Sequence, residues 1–307
     1  MLGLFKYSQT TGDVLFEHFT NDLAVGNVMW GSSIGAGWNV VPFYTAIHPI
    51  NPIIDCYLLF YNPGSGAVQI QAATPKGLKL IWQGQWSHDP SWTHLVPVWK
   101  PGIIAEWGDS YMFSFKKATG EAALEKLNDE GKGTTNVFTR TWKQPWTCFA
   151  SGNITGGDPY LLMYSAKTGH AELDDITNSE EVVYWERTWT NTPPWTHMEP
   201  LTSDLILYYK QDDGTVEVDR LLDKLRDGVN KPGSTPVWKD QWAAGWTNFS
   251  PFVAWMGVLP EAFLLSYKAS DGSLALDRFS NVEGEGFSSV WKSGAGRGWS
   301  HIFALRV

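Results

Sequence analysis

Six tryptophans recur along the chain at a nearly constant spacing, and that period decides what the chain can fold into. Trp38, Trp92, Trp146, Trp195, Trp246 and Trp299 stand 54, 54, 49, 51 and 53 residues apart. Thr93, Thr147, Thr196, Thr247 and Ser300 follow five of them, and Asn39 follows the first. A second series keeps the same period. Tyr7, Tyr61, Phe115, Tyr164, Tyr209 and Tyr267 each precede a glycine by five residues (Gly12, Gly66, Gly120, Gly169, Gly214 and Gly272). Two series in register define six repeats, at about 1–56, 57–110, 111–159, 160–204, 205–262 and 263–307. A fixed long period means one supersecondary unit stacked many times.

Each repeat reads as four short strands. An apolar run such as Leu58–Tyr61 meets a glycine turn, where positive φ carries no steric cost. An alternating segment follows, as in Gly214–Asp219, with the period of two that marks a half-buried strand. A third strand is expected to end near Trp30, Trp82, Phe138, Trp185, Trp238 or Trp291, and the repeat tryptophan opens a fourth. Leu221–Arg226 comes nearest to helical periodicity and is too short to count. The expectation is all-β: one domain over residues 1–307, a six-bladed β-propeller with four antiparallel strands per blade. The C-terminal strand, Trp299–Leu305, would close the ring by joining the first blade. A β-helix or open solenoid is the competing architecture, but four-stranded units of this length favour a propeller.

Composition narrows the function. With 23 basic and 32 acidic residues the net charge is −9, which argues against a phosphate-binding surface and hence against nucleic acid. A hydrophobic share of 43% with 18% charged residues supplies a sizeable core. No apolar run reaches about 18 residues, so no membrane span is expected. Met1–Tyr7 lacks the regions of a signal peptide; the expected compartment is cytoplasmic, or secreted if a leader has been removed. Cys56 and Cys148 are too few for a disulfide framework or a four-ligand zinc site. Nucleophile elbow, phosphate-cradling loop and HExxH motifs are all missing from the sequence.

Several repeated positions carry chemistry. Glu17, Glu125, Asp174, Asp219 and Asp277 fall five residues after the turn glycine, with Gln71 in the second repeat and Lys126, Arg220 and Arg278 beside three of them. A carboxylate, a basic group and an aromatic plane in each blade is what a multivalent sugar binder needs, and equally what small surface ion pairs look like. His94, His197 and His301 sit two residues after the repeat tryptophan in alternate blades. Histidines so placed either ligate a metal on the axis or bond a neighbouring blade's backbone. Asn153 and Asn248 begin glycosylation sequons, the first expected in a loop and the second in an innermost strand.

The repeats differ most after the innermost strand, in segments 43–55, 99–110, 152–159 and 253–261. Three of these segments are apolar, and they hold the three tryptophans outside the repeat, Trp99, Trp107 and Trp255. Function in repeat proteins gathers in such insertions on one face. Either they form a lid over the blade ends or they line one apolar pocket. As a pocket, its walls would be Trp99, Ile103, Trp107, Trp255 and Met256, and its polar groups Tyr44, His48, Lys100 and Glu106.

With six units, the tryptophan series and the Tyr-x4-Gly series, the whole chain resembles the propellers related to fungal fucose-specific lectins. It is similar also to the fungal hetero-Diels–Alderases of tropolone–sesquiterpenoid biosynthesis, which are propellers with a single pocket. The second resemblance implies a cofactor-free and metal-free cycloaddition of a tropolone quinone methide to a humulene-type alkene. Its partners would be small hydrophobic substrates; the lectin resemblance implies glycans instead. In the enzyme reading Lys100, Tyr44 or His48 would polarise the heterodiene carbonyl. Glu106 or a histidine would assist loss of water, and the apolar walls would hold the terpene.

Overall fold

A computed structural model describes residues 1–44, 56–86, 91–100, 108–128, 132–153, 159–176, 182–190, 194–202, 204–222, 233–255, 260–280 and 286–306. They form six four-stranded antiparallel sheets, the blades of a six-bladed β-propeller. Blade 1 joins β1 (Leu2–Tyr7), β2 (Asp13–Phe19) and β3 (Val25–Ser33) to β24 (His301–Arg306), so the last strand completes the first blade. Blade 2 is β4 (Asn39–Tyr44), β5 (Cys56–Tyr61), β6 (Ala67–Thr74) and β7 (Gly77–Gln85), and blade 3 is β8 (His94–Lys100), β9 (Asp109–Lys116), β10 (Glu121–Leu127) and β11 (Thr134–Thr141). Blade 4 contains β12 (Cys148–Asn153), β13 (Pro159–Ser165), β14 (His170–Asp175) and β15 (Val182–Thr188). Blade 5 runs from β16 (His197–Pro200) through β17 (Leu205–Tyr209) and β18 (Thr215–Leu222) to β19 (Gly233–Gln241). Blade 6 runs from β20 (Asn248–Trp255) through β21 (Pro260–Lys268) and β22 (Ser273–Phe279) to β23 (Phe287–Gly294). Two compact units hold three blades each: residues 1–145 with 299–307, and residues 146–298.

The two sequence series turn out to be halves of one device. In unit 1 the Trp38 and Trp92 amides donate to the hydroxyls of Tyr7 and Tyr61, at 3.1 and 3.2 Å. In unit 2 the Trp195 and Trp246 amides donate to Tyr164 and Tyr209, at 3.2 and 3.3 Å. The residue after the tryptophan completes a clamp. The Thr196 hydroxyl donates to the Tyr209 carbonyl at 3.0 Å and accepts the Gln211 amide at 2.9 Å. Thr93, Thr147, Thr247 and Ser300 make the same pair of bonds. Each clamp satisfies backbone groups at the entry of an innermost strand, where ladder pairing has not yet begun. The tryptophan ring then fills the gap to the neighbouring blade: Trp195 packs with Leu162, Met198 and Tyr208.

Turn geometry explains the glycines. Gly120 has φ +73°, and a Cβ there would collide with the Trp142 carbonyl. The third strands end three residues beyond Trp30, Trp82, Phe138, Trp185, Trp238 and Trp291. That extension carries the chain back to the turn, where the Trp142 amide reaches the Gly120 carbonyl at 2.9 Å. All six blades also share a bulge between the second and third strands. The register shifts immediately before Glu17, Gln71, Glu125, Asp174, Asp219 and Asp277, the acidic series. A bulge twists the outer edge away from ladder pairing, which guards an exposed edge strand.

Candidate functional site

In unit 1 the innermost strands β4 and β8 run side by side in one direction. The amide of Trp92, just before β8, bonds Tyr61, which pairs with Asn39 at the start of β4. The opposite ends, Tyr44 and Trp99–Lys100, therefore lie together. Tyr44 is opposite Cys56 on β5, and Trp99 and Lys100 are opposite Ser110 and Asp109 on β9. Trp99 and Lys100 are half-buried. His48, Ile103, Glu106, Trp107 and Met256 lie outside the described residues. Trp255 ends β20 in unit 2, opposite Pro260.

Two polar groups at this strand end were not foreseen. Asp109 accepts the Lys126 ammonium at 2.7 Å and the Tyr111 hydroxyl at 3.3 Å. Burial, together with the negative charge of Asp109, pushes the Tyr111 phenol up to about 12, so it remains a neutral donor. With Asp109 engaged by Lys126, no carboxylate pairs with Lys100 among the described residues. The end of blade 3 thus offers an indole, an ammonium and a phenol–carboxylate pair. Asp109 and Tyr111 begin the strand after the variable segment, and only the register opposite β8 brings them beside Lys100.

Unit 2 holds a polar cluster between blades 4 and 5. Arg187 Nη1 donates to Asp219 Oδ2 at 2.5 Å and to Ser234 Oγ at 3.2 Å, while the guanidinium lies 4.5 Å from the Trp189 ring centre. Burial raises the Asp219 carboxyl to about 6, with the neighbouring Glu217 adding to the rise and Arg187 and Ser234 opposing it. The other members of the acidic series are engaged differently. Glu17 pairs with Lys6 at 2.8 Å, Glu125 accepts the Asn136 amide at 2.8 Å, and Gln71 bonds Gln69 at 2.9 Å. At Asp219 the carboxylate meets an arginine that itself lies over an indole.

In the histidine series, His197 makes the backbone contact to a neighbouring blade. His197 Nε2 lies 3.1 Å from the Thr247 carbonyl of the next blade, and burial depresses its pKa. Burial takes His301 down to about 4. Two residues along β16 from His197, Glu199 occupies a position where other blades carry Pro42, Val96, Ala150, Ser250 and Phe303. The surrounding protein pushes its carboxyl up to about 8, although part of its surface stays accessible. Cys56 and Cys148 are both free thiols. Asn248 opens the innermost strand β20 as expected, whereas Asn153 is the last residue of β12 and not a loop residue.

No known family profile matches the chain, and no curated relative matches it. Solved structures do. A putative 6-phosphogluconolactonase from Bacteroides fragilis aligns with 99% of this chain and 98% of its own, at TM-score 0.60 and 8% identity. The periplasmic gluconolactonase of Pseudomonas aeruginosa aligns over 100% of both chains, at TM-score 0.60 and 11% identity. A protein of unknown function from Desulfotomaculum acetoxidans aligns with 96% of this chain and 80% of its own, at TM-score 0.57 and 9% identity. At these identities the likeness is one of fold. No helix of the described residues is long and apolar enough to cross a membrane.

Proposed function

We propose that the chain is a biosynthetic enzyme of the hetero-Diels–Alder type, acting on an apolar substrate pair at the shared end of β4 and β8. One observation carries the reading: two neighbouring innermost strands end together on Tyr44 and on Trp99–Lys100. Apolar segments with His48, Ile103, Glu106 and Trp107 leave from those ends in the sequence. In the reaction a hydroxymethyl tropolone loses water to give a quinone methide. Its oxygen and exocyclic carbon then add across an alkene, forming one C–O and one C–C bond.

Joining two molecules gains mainly from holding them in a near-attack arrangement, up to about 7–11 kcal/mol in well-oriented cases. In this reading Trp99, Ile103 and Trp107 provide the apolar wall, and water is kept from the reactive intermediate. The Lys100 ammonium donates to the heterodiene carbonyl as negative charge develops there. Glu106 or His48 takes part in the dehydration as acid or base.

The test is product formation from a hydroxymethyl tropolone precursor and a humulene-type alkene. Lys100→Ala is expected to slow it by about 10²–10³-fold, the usual effect of removing one such donor. Trp99→Ala with Trp107→Ala should abolish stereoselection while the fold survives. Unchanged product from both variants would exclude this site.

A second reading has an observation of its own. Arg187, Asp219, Ser234 and Trp189 combine bidentate donors, acceptors and an aromatic plane, the chemistry that recognises a saccharide. Arg187→Ala would remove glycan binding if this site carries the function, and would leave cycloaddition untouched.

A further inference from the structure

One cross-strand pair sets the outer hairpins of blades 4 and 5 apart in charge. On β18 and β19 Glu217 stands opposite Lys239, and their charged atoms meet at 2.7 Å. At the equivalent place on β14 and β15, Glu172 stands opposite Glu186. Both pairs lie three residues after the turn glycine and one residue after the third-strand tryptophan. The other blades carry Leu15 opposite Gly31, Gln69 opposite Gln83, Ala123 opposite Thr139 and Ala275 opposite Lys292. Like charges directly opposite on a ladder destabilise it. Blade 4 therefore has a carboxylate where blade 5 supplies the cation.

His170 completes the group. Its Nε2 is 2.7 Å from Glu172 Oε1, and Nδ1 is 3.0 Å from Thr188 Oγ1. Its ring stacks on Trp146, with centroids 6.0 Å apart and planes at 26°. One imidazole nitrogen and a carboxylate oxygen from each glutamate lie within 4.8 Å of one another. No other blade repeats this set: the residues at the place of His170 are Asp13, Ala67, Glu121, Thr215 and Ser273.

We propose that His170, Glu172 and Glu186 bind a divalent transition-metal ion of the zinc class, which supplies the positive charge that Lys239 supplies in blade 5. One imidazole with two carboxylates suits borderline ions, whereas calcium and magnesium favour all-oxygen shells. Zinc–ligand bonds of about 2.0–2.2 Å set neighbouring donors about 3–4 Å apart, so the exposed Glu186 side chain needs only a small swing. Thr188 on Nδ1 holds the ring with Nε2 toward Glu172, and a bound ion would take the place of the proton between them, with the outer-shell bond keeping the ring in position. Water completes the shell. The ion clamps β14 to β15 at the surface of the blade, and the proposal is independent of the function proposed above.

The test titrates the full-length, chelator-treated protein with Zn2+ by calorimetry, and with Co2+ to read the ligand field. One ion per chain is expected. His170→Ala and Glu186→Gln should each weaken it by about tenfold or more, with circular dichroism unchanged. Glu186→Lys copies blade 5; it should abolish the Zn2+-dependent rise in unfolding temperature and raise the unfolding temperature of the metal-free protein. Zn2+ binding as tight in His170→Ala as in the parent overturns the proposal. So does the absence of saturable binding up to about 1 mM Zn2+.

Discussion

The two ends of each innermost strand obey different rules. At the entry, five blades place the same Trp–Thr or Trp–Ser pair and the same hydroxyl clamp. At the exit the blades share almost nothing: β4 leaves on Tyr44, β8 on Trp99–Lys100, β16 on Pro200 and β20 on Trp255. Entry residues fill a packing and hydrogen-bonding need that recurs in each blade. Exit residues answer to no need that recurs from blade to blade. The contrast predicts that entry substitutions cost stability and exit substitutions cost binding.

The largest expected loss is Trp195→Ala. The ring is buried against Met198 and Tyr208, and removing it should lower stability by about 3–5 kcal/mol in urea unfolding. A loss under about 1 kcal/mol would break the claim that the tryptophan series holds the blades. Next comes Thr196→Val, which keeps the shape but leaves the Gln211 amide without its acceptor. Its expected cost is about 1–3 kcal/mol. The clamp idea fails if the unfolding midpoint does not move.

Glu199 sharpens the comparison through pH. Its folded-state pKa of about 8 lies above the ordinary 4.5, so the folded protein holds a proton that the unfolded chain releases. That contribution is complete below about pH 4.5 and is lost as pH rises through 8. Asp219 and Asp277, both raised to about 6 by burial, act lower down. His301, depressed to about 4, works in the opposite sense below about 6.5. Between pH 6.5 and 8 the slope therefore belongs to Glu199, and stability should fall by up to about 1.4 kcal/mol per unit. Glu199→Gln should flatten the curve in that window; a slope that persists in the variant assigns it elsewhere. The smallest stability effect belongs to Lys100→Ala, within about 0.5 kcal/mol of the parent by thermal unfolding. A larger loss would mean that the exit is as structural as the entry.

The sequence made the blades legible because their cohesion depends on a few residue types at fixed spacing. Tyr7 and Trp38 repeat in phase because one hydroxyl caps the other's amide. The acidic series was visible too, but its coincidence with six bulges was not, since an extra residue in a strand leaves no mark in composition. At the exits, Trp99 and Lys100 stood out as departures from the repeat. Asp109 could not be singled out along the chain because only the register of β9 against β8 sets it opposite Lys100. Arg187 and Asp219 are 32 residues apart and belong to different blades. Glu172 and Glu186 became opposed only once the β14–β15 pairing was known. Chemistry assembled across strands cannot be read along one.

The central claim is that one distinctive exit, and not six similar blades, makes the ligand site. Native mass spectrometry tests it by counting bound molecules per chain, with a tropolone–terpene set and a fucosylated glycan panel offered separately. The account predicts a single apolar ligand per chain, lost in Lys100→Ala with Trp99→Ala and unaffected by the glycans. Several equivalent glycans per chain, with no apolar ligand retained, would contradict it.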